Sequence, residues 1–594
     1  MSHIKEGYIE DYISGQEIKA TPEEIESVQV FAKQLVEDYD YDKEQIQTRP
    51  QWRVKSRPSD NAEKGYPVDI IVFDSKNKTE ENSLIIVECK KKTRKDGRSQ
   101  LEDYLKFSKA FLGVWFNGTE RLFLKKIEKE GKVLFHEIPN IPKKGQRIED
   151  VGKYARKDLK VPHNLKADFK TIRNYLAQNT VGATRDEKIA QQLINVIFCK
   201  IYDERFTKQE DFVKFRAGIS EDPKDVQKRI SEIFENVKKK YQDVIDQNDE
   251  IELDENSLYY TVGALQNYCI TESKRDVIAD AFETFIGKAL KGSQGQFFTP
   301  RNVVQMMVEI LEPNEEEIVF DPACGSGGFL VESLRFVWKK IEDKGKEYGW
   351  SDKEIEKQKQ KVAATNFIGI DKDSFLSKVT KAYMAIIGDG NSGIFCEDSL
   401  ELPKNWEAKT QQRIKIKSSQ VILTNPPFGD KIPVTGKEKL EQYELGHKWK
   451  KGKTGWEKTS KVANTSKKGG VSPQIIFIER VIQCLEIGGR CAIVLPDGIL
   501  GNDKFGYIRE FIQKSGRILA IIDVPVITFM PNTSTKTSIL VFQKLEKIPE
   551  DYSIFMAIAD TCGHDRRGNE IEDDDIQNIS EKYHEWKEKN GITH

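Results

Sequence analysis

Two stretches of this chain gather side chains whose types and spacing could do chemistry. In the C-terminal half the apolar run IVF ends in Asp321-Pro322-Ala323-Cys324-Gly325-Ser326-Gly327-Gly328-Phe329 and opens onto the helical pattern FLVESLRFVWKKI. Glycines closing a strand let the backbone approach a ligand that a Cβ would hold off. Later strand-like runs end in Asp371 (FIGID), in Asp398 (CEDSL) and in Thr424-Asn425-Pro426-Pro427-Phe428, and Phe298-Thr299-Pro300 lies upstream of them all. An acid closing the second strand suits ribose hydroxyls. Asp398, closing the third, suits the exocyclic amine of an adenine ring. On the glycines alone a dinucleotide fold fits equally well.

The second stretch is N-terminal. Asp69 sits in VDIIVF, Glu88-Cys89-Lys90 closes SLIIVECK, and Gln100 and Tyr104 follow, four residues apart. That spacing puts Gln100 and Tyr104 on one helix face. Asp69, then Glu88-x-Lys90 on the next run, gathers two acids and a lysine. A salt bridge at a sheet edge explains the same acids and lysine without any metal.

These residues need elements to position them. Thr21-Pro22-Glu23-Glu24 reads as a helix start, with Thr21 as N-cap and Pro22 in the first turn. Short β-rich runs follow at 68–73, 83–89, 110–118 and 121–127, with Asn117-Gly118 as a hairpin turn between the last two. From about 155 to 290 the pattern changes to long helical periodicity, as in 186–206 and 275–290. Beyond 290, strands and helices alternate through IVFDPACG, NFIGID, GIFCEDSL, VILTNPPF, RCAIVLP, ILAIIDVP and TSILVFQKL, which predicts an open α/β sheet. In such sheets ligands bind at the carboxyl ends of the strands, where the quoted residues fall. The expected organisation is multidomain α/β: an α/β domain over 1–150, a helical connector over 151–285, a Rossmann-like domain over 286–560 and a peripheral polar tail over 561–594.

The FxTP, DPACGSGGF and NPPF series, in that order, resembles the class I amino-methyltransferases that use S-adenosylmethionine. The arrangement is the gamma order of the modification subunits of Type I restriction systems, and the likeness covers roughly residues 180–570. The resemblance implies that Phe298, Thr299, Pro300, Asp321, Ala323, Gly325, Gly327, Asp371 and Asp398 bind the cofactor. It also implies that Asn425, Pro426, Pro427 and Phe428 handle a target base flipped out of the duplex. The amine at N6 of adenine is favoured over N4 of cytosine by the gamma order, although both suit NPPF.

The N-terminal residues resemble the PD-(D/E)xK nuclease core, with Pro67-Val68-Asp69 carrying one residue more than the family's Pro-Asp. Gln100-Leu-Glu-Asp-Tyr104 matches the Gln-xxx-Tyr motif of one branch of that superfamily, and GYIEDYISGQEIKATPEE resembles the opening of Type I restriction subunits. The resemblance implies catalytic Asp69, Glu88, Lys90 and Gln100, with Mg²⁺ on Asp69, Glu88 and the Cys89 carbonyl. Nuclease and methyltransferase in one chain resemble the restriction–modification subunits of Type IIB and IIG systems.

Composition sets bounds on the rest. The sequence is 38% hydrophobic and 32% charged with a formal net charge of -2, so a nucleic-acid partner has to meet local basic patches. The candidate patch is Lys448–Lys468, with Trp449 and Trp456 among its lysines; a solvated loop is the plain alternative. GHKWKKGKT is not a P-loop, because five residues separate Gly446 and Gly452 where that motif has four, and no ATP site is expected. The eight cysteines include no Cys-x-x-Cys pair, which argues against disulfides and zinc. With no signal-like N-terminus and no membrane-length apolar run, a cytoplasmic prokaryotic protein is expected.

The expected partners are double-stranded DNA and a separate specificity subunit, since little chain follows residue 560 to recognise a target; the tail is a possible contact to that subunit. An oligomer is expected, and no membrane. Three rival readings stay open: a modification subunit whose nuclease-like domain only binds DNA, a protein-glutamine methyltransferase, and an idle scaffold.

Overall fold

The computed structural model describes residues 5, 7–55, 65–118, 120–129, 132–162, 165–180, 186–219, 221–242, 244–273, 299–388, 393–429, 433–463, 470–530, 533–567, 569 and 571–592. It divides into two compact units, residues 1–289 and 290–594. The predicted helix over 275–290 lies outside the described residues.

In the first unit a small hairpin, β1 (Tyr8–Glu10) and β2 (Glu17–Lys19), precedes a helix that begins at Pro22 and continues through Gln29–Glu37. Thr21 caps it as the sequence suggests: its hydroxyl accepts the Glu24 N–H at 3.2 Å. Six strands form the main sheet, in the order β10 (Lys132–Ile138), β9 (Arg121–Lys129), β8 (Leu112–Phe116), β7 (Ser83–Cys89), β6 (Ile70–Phe73), β3 (Ile46–Gln47). A short side pair, β4 (Arg53–Val54) and β5 (Tyr66–Pro67), stands apart. Only β7 and β8 run parallel, joined across the helix Arg98–Phe107; the other neighbours are antiparallel.

Both faces of this sheet are covered, so Ile70–Phe73 is apolar throughout rather than alternating. Ile70, Val72, Ile85 and Val87 pack with Phe31 and Leu35 on one face, and Ile71, Phe73 and Ile86 pack with Leu101, Tyr104 and Leu105 on the other. The Asn117-Gly118 turn forms as predicted: Gly118 has φ +81° and the Asn117 side-chain oxygen accepts the Glu120 N–H at 2.7 Å.

The helical segment contains Leu165–Asn179, Asp186–Phe206, Pro223–Lys240 and Glu255–Leu265. Sequence divides it from the sheet at residue 150, whereas the structure packs the two into one unit. The buried ion pair Arg121–Asp168, 2.7 Å apart, joins β9 to the first of these helices. Asn140 donates to the Gly263 carbonyl at 3.4 Å.

The second unit is built on an eight-stranded sheet. Its order is β13 (Ile394–Cys396), β12 (Phe367–Asp371), β11 (Val319–Asp321), β14 (Ser419–Thr424), β17 (Leu485–Pro496), β19 (Thr537–Lys544), β18 (Gly516–Val524), β20 (Phe555–Ile558). Every predicted strand of this half is present. All neighbours are parallel except β19, which runs against both β17 and β18. The chain leaves β11 toward β12 on one side and returns to β14 on the other. That reversal of strand order makes the crevice where open α/β sheets bind ligands.

The tail is not the peripheral polar segment its composition suggests. Ile576, Ile579 and Tyr583 recur at helical spacing and are buried, and the helix Ile579–Lys589 docks on the helix Arg301–Leu311. Lys587 pairs with Glu312 at 2.7 Å, and His584 Nε2 lies 3.0 Å from the Glu309 carbonyl oxygen. Seven of the eight cysteines are buried and Cys396 is exposed, as expected of reduced thiols. Among the described residues no helix is long and apolar enough to cross a membrane.

Candidate active sites

At the carboxyl end of β11 the chain turns sharply through Gly325 (φ +52°) and Gly327 (φ +83°) into the helix Gly328–Glu347. A Cβ on Gly327 would stand 2.6 Å from Thr380 Cγ2, while one on Gly325 would meet nothing within 4 Å among the described residues. The first glycine thus leaves an open face for a ligand and the second lets the turn close. Thr380 ties the loop down by donating to the Gly325 carbonyl at 2.6 Å.

Asp321 is fully buried, and its carboxylate accepts the Ala323 N–H at 3.0 Å. Burial pushes its pKa up to about 7, against that hydrogen bond. Asp371 closes β12 next door and accepts the N–H groups of Gly325 and Asp373, both at 2.9 Å. Burial raises its pKa too. Asp321, Ala323, Gly325, Gly327 and Asp371 are therefore assembled at neighbouring strand ends, as the sequence predicts. Asp398 is differently engaged. It accepts the Leu400 N–H at 2.9 Å and pairs with Lys439, a partner that no motif signals.

Asn425 follows β14, with Pro426 buried and Pro427 and Phe428 half-buried. Its Nδ2 donates to Thr299 Oγ1 at 3.0 Å. Its Oδ1 is buried and has no hydrogen-bond partner among the described residues. A buried acceptor left unpaired costs about 1–3 kcal/mol, so it marks a place for a donor brought by a ligand. Pro300 precedes the helix Arg301–Leu311, and Phe298 lies outside the described residues.

The open glycine, the acid at the next strand end and the unpaired acceptor fit S-adenosylmethionine beside an amine. Asp371 would take its ribose hydroxyls, and the 321–327 loop would face the rest of the molecule. Bound there, the sulfonium supplies an activated methyl group.

The basic stretch is a hairpin of β15 (His447–Lys451) and β16 (Trp456–Val462), with residues 464–469 outside the described set. Its tryptophans are packed rather than free to stack on bases: both rings sit 5.7 Å from Tyr507. Lys448, Lys451, Lys453 and Lys461 are exposed.

In the first unit the antiparallel register Ile70↔Val87 sets Asp69 beside Glu88. Asp69 Oδ2 accepts the Cys89 N–H at 2.7 Å, and Glu88 is bound by Lys90. Lys90 Nζ also reaches Gln100 Oε1 at 3.4 Å, Gln100 donates to Tyr104, and Tyr104 donates to the Pro67 carbonyl at 3.1 Å. The five side chains picked from sequence form one cluster. Burial raises both carboxyl pKa values, and the Asp69 charge further disfavours ionisation of Glu88. Burial works against the Lys90 charge, but the Glu88 hydrogen bond and the two acids outweigh it and keep the ammonium.

Sequence reasoning missed Glu23, whose charge acts on both acids from the first turn of the capped helix. Among the described residues no three His, Cys, Asp or Glu side chains converge as a metal cage. The side chains that would hold a divalent cation there are the two carboxylates, Asp69 and Glu88. An ion bound there would supply Lewis-acid activation of a phosphate and of water.

The second unit is thus a Rossmann-like α/β domain whose strand ends form one polar crevice. The chain belongs to the N-6 DNA methylase family, whose model matches residues 273–594, more than half of its length. Residues 22–142 match the Type I restriction enzyme R protein N terminus. The methylase subunit of the Type I restriction enzyme EcoEI of Escherichia coli is 26% identical over 278 residues, covering 46% of this chain and 48% of the relative. The EcoKI methylase subunit of Escherichia coli K12 is 25% identical over 274 residues, covering 46% and 45%. The chain therefore spans about half the length of these curated relatives. A solved chain of a Type I restriction–modification system superposes with a TM-score of 0.51 at 16% identity, covering 73% of this chain and 85% of that one, which speaks to fold alone.

Proposed function

We propose that this chain is a restriction–modification subunit that methylates the N6 of adenine in a specific DNA site and cuts DNA lacking that mark. The observation that carries the methyltransferase half is the buried, unpaired Asn425 Oδ1 at the end of β14. An exocyclic amine is a poor nucleophile because its lone pair is delocalised into the ring. Asn425 Oδ1 and the Pro426 carbonyl accept its two N–H bonds and favour a more tetrahedral nitrogen. Two prolines fix the backbone that presents them. Phe428 stacks on the flipped base, and the exposed lysines of the β15–β16 hairpin meet the phosphates beside it. Positioning supplies most of the acceleration.

The nuclease half is supported by the convergence of Asp69, Glu88, Lys90 and Gln100. Asp69 and Glu88 hold Mg²⁺ with the Cys89 carbonyl, and Lys90, released from Glu88, orients water or stabilises charge on the phosphate. A prokaryotic cytoplasmic location, an oligomer and a separate specificity subunit complete the proposal. A second reading, methylation without cutting, draws on the ion pair that ties Glu88 to Lys90.

One reaction tests both halves. The chain and its specificity partner receive unmethylated DNA, Mg²⁺ and tritiated S-adenosylmethionine, alongside a Glu88→Ala variant. Cutting lost in the variant with label still entering DNA is the expected result. Label in DNA without cutting in either sample leaves the second reading. Label entering protein instead of DNA overturns the proposal.

A further inference from the structure

We infer that Thr299 is a positioning residue for the Asn425 amide, an inference that rests on the methyltransferase reading above. The Thr299 hydroxyl accepts from Asn425 Nδ2 at 3.0 Å, across 126 residues of sequence. With Nδ2 so engaged, the atom of the amide left without a partner among the described residues is Oδ1, which is buried. The direction matters chemically. The acceptor amine has two N–H donors, so an amide turned to show its own NH₂ would meet donor with donor and leave the amine lone pair in the ring.

Thr299 is itself held from behind. Pro300 starts the helix Arg301–Leu311, and Asn302 Nδ2 on its first turn donates to the Cys562 carbonyl and to Asp574 Oδ2, both at 3.0 Å. The C-terminal segment therefore fixes the helix start that carries the hydroxyl. The helix, the hydroxyl and the amide form a chain of support ending at the reacting nitrogen. A shift of roughly 1 Å at such a site can cost on the order of 100-fold in rate.

The test uses Thr299→Val, which removes the acceptor while keeping the branched shape, and Thr299→Ser, which keeps the acceptor. Single-turnover methyl transfer to DNA at saturating cofactor, S-adenosylmethionine affinity by calorimetry and crystal structures of both variants are measured. In the valine variant the transfer rate at saturating cofactor falls on the order of 100-fold, and the Asn425 amide turns away from its native orientation. In the serine variant most of the rate returns and the amide stays in place. An unmoved amide or an unchanged rate in the valine variant overturns the inference. So does a loss of cofactor affinity with the saturated rate intact, which would return Thr299 to the cofactor. If the unaltered chain puts no methyl on DNA, the substrate reading falls while the crystal structures still decide whether Thr299 holds the amide.

Discussion

The ends of β14 and β7 carry polar clusters that satisfy their hydrogen bonds in opposite ways. At Asn425 one amide hydrogen is engaged and the oxygen is left buried and unpaired. At Glu88 the carboxylate is closed on its own neighbour, Lys90, and through Gln100 and Tyr104 on the chain behind it. The difference follows from what each site awaits. A neutral amine brings donors, so the protein can tolerate an unpaired acceptor at about 1–3 kcal/mol. Two adjacent buried carboxylates without a counter-ion would cost far more. They carry a resident cation, Lys90, so on the proposed function the first site would be poised by omission and the second by a placeholder for a metal.

Metal removal should break this comparison most completely. Chelating Mg²⁺ abolishes cutting and leaves methyl transfer unchanged, scored as DNA fragments and incorporated label in one tube; cutting that persists without metal would remove the placeholder argument. Next in size, Asn425→Ala lowers the methylation rate by about 10²–10³-fold, as removing one preorganised hydrogen-bonding group does elsewhere, with cutting intact. Survival of full methylation would mean that the unpaired oxygen serves structure alone. A smaller effect is expected at the hairpin: replacing Lys448, Lys453 and Lys461 by alanine weakens DNA binding and flattens its salt dependence by roughly one in log–log slope for each phosphate no longer neutralised. An unchanged slope would detach the hairpin from DNA.

The last effect is in stability rather than in rate or binding. Burial raises Asp321 from 3.8 to about 7, so the folded chain keeps a proton that the unfolded chain releases near its ordinary value. The unfolded state therefore binds fewer protons between about pH 4 and about pH 7, and stability falls as pH rises through that window, by about 1 kcal/mol per unit. It levels off above. Thermal melts of the cofactor-free protein between pH 5 and 8 should show this slope, and Asp321→Asn should flatten it. Equal slopes in both would place the pH sensitivity elsewhere.

Much of both sites was legible because strand ends are legible. A run of β-branched residues ending in an acid or in Asn-Pro-Pro announces its own direction, and parallel strands bring such ends together whatever the loops do. Asp321, Asp371 and Asn425 were found that way, as were Glu88 near the end of β7 and Asp69 just before its antiparallel neighbour β6. Contacts between distant segments were not legible. Nothing local to Thr299 says that its hydroxyl meets Asn425, and nothing in CEDSL announces Lys439. Tryptophans among lysines look free for bases until Tyr507 is seen between them. The antiparallel β19 was equally hidden, because a strand buried on both faces reads alike in either direction.

The buried pair of Arg121 and Asp168 bears on how such proteins can be recombined. Severed at residue 150, the N-terminal sheet would lose both the carboxylate that pairs with Arg121 and the helix that carries it. A division of the chain by design should therefore move residues 1–289 as one unit rather than the shorter stretch that carries the acids.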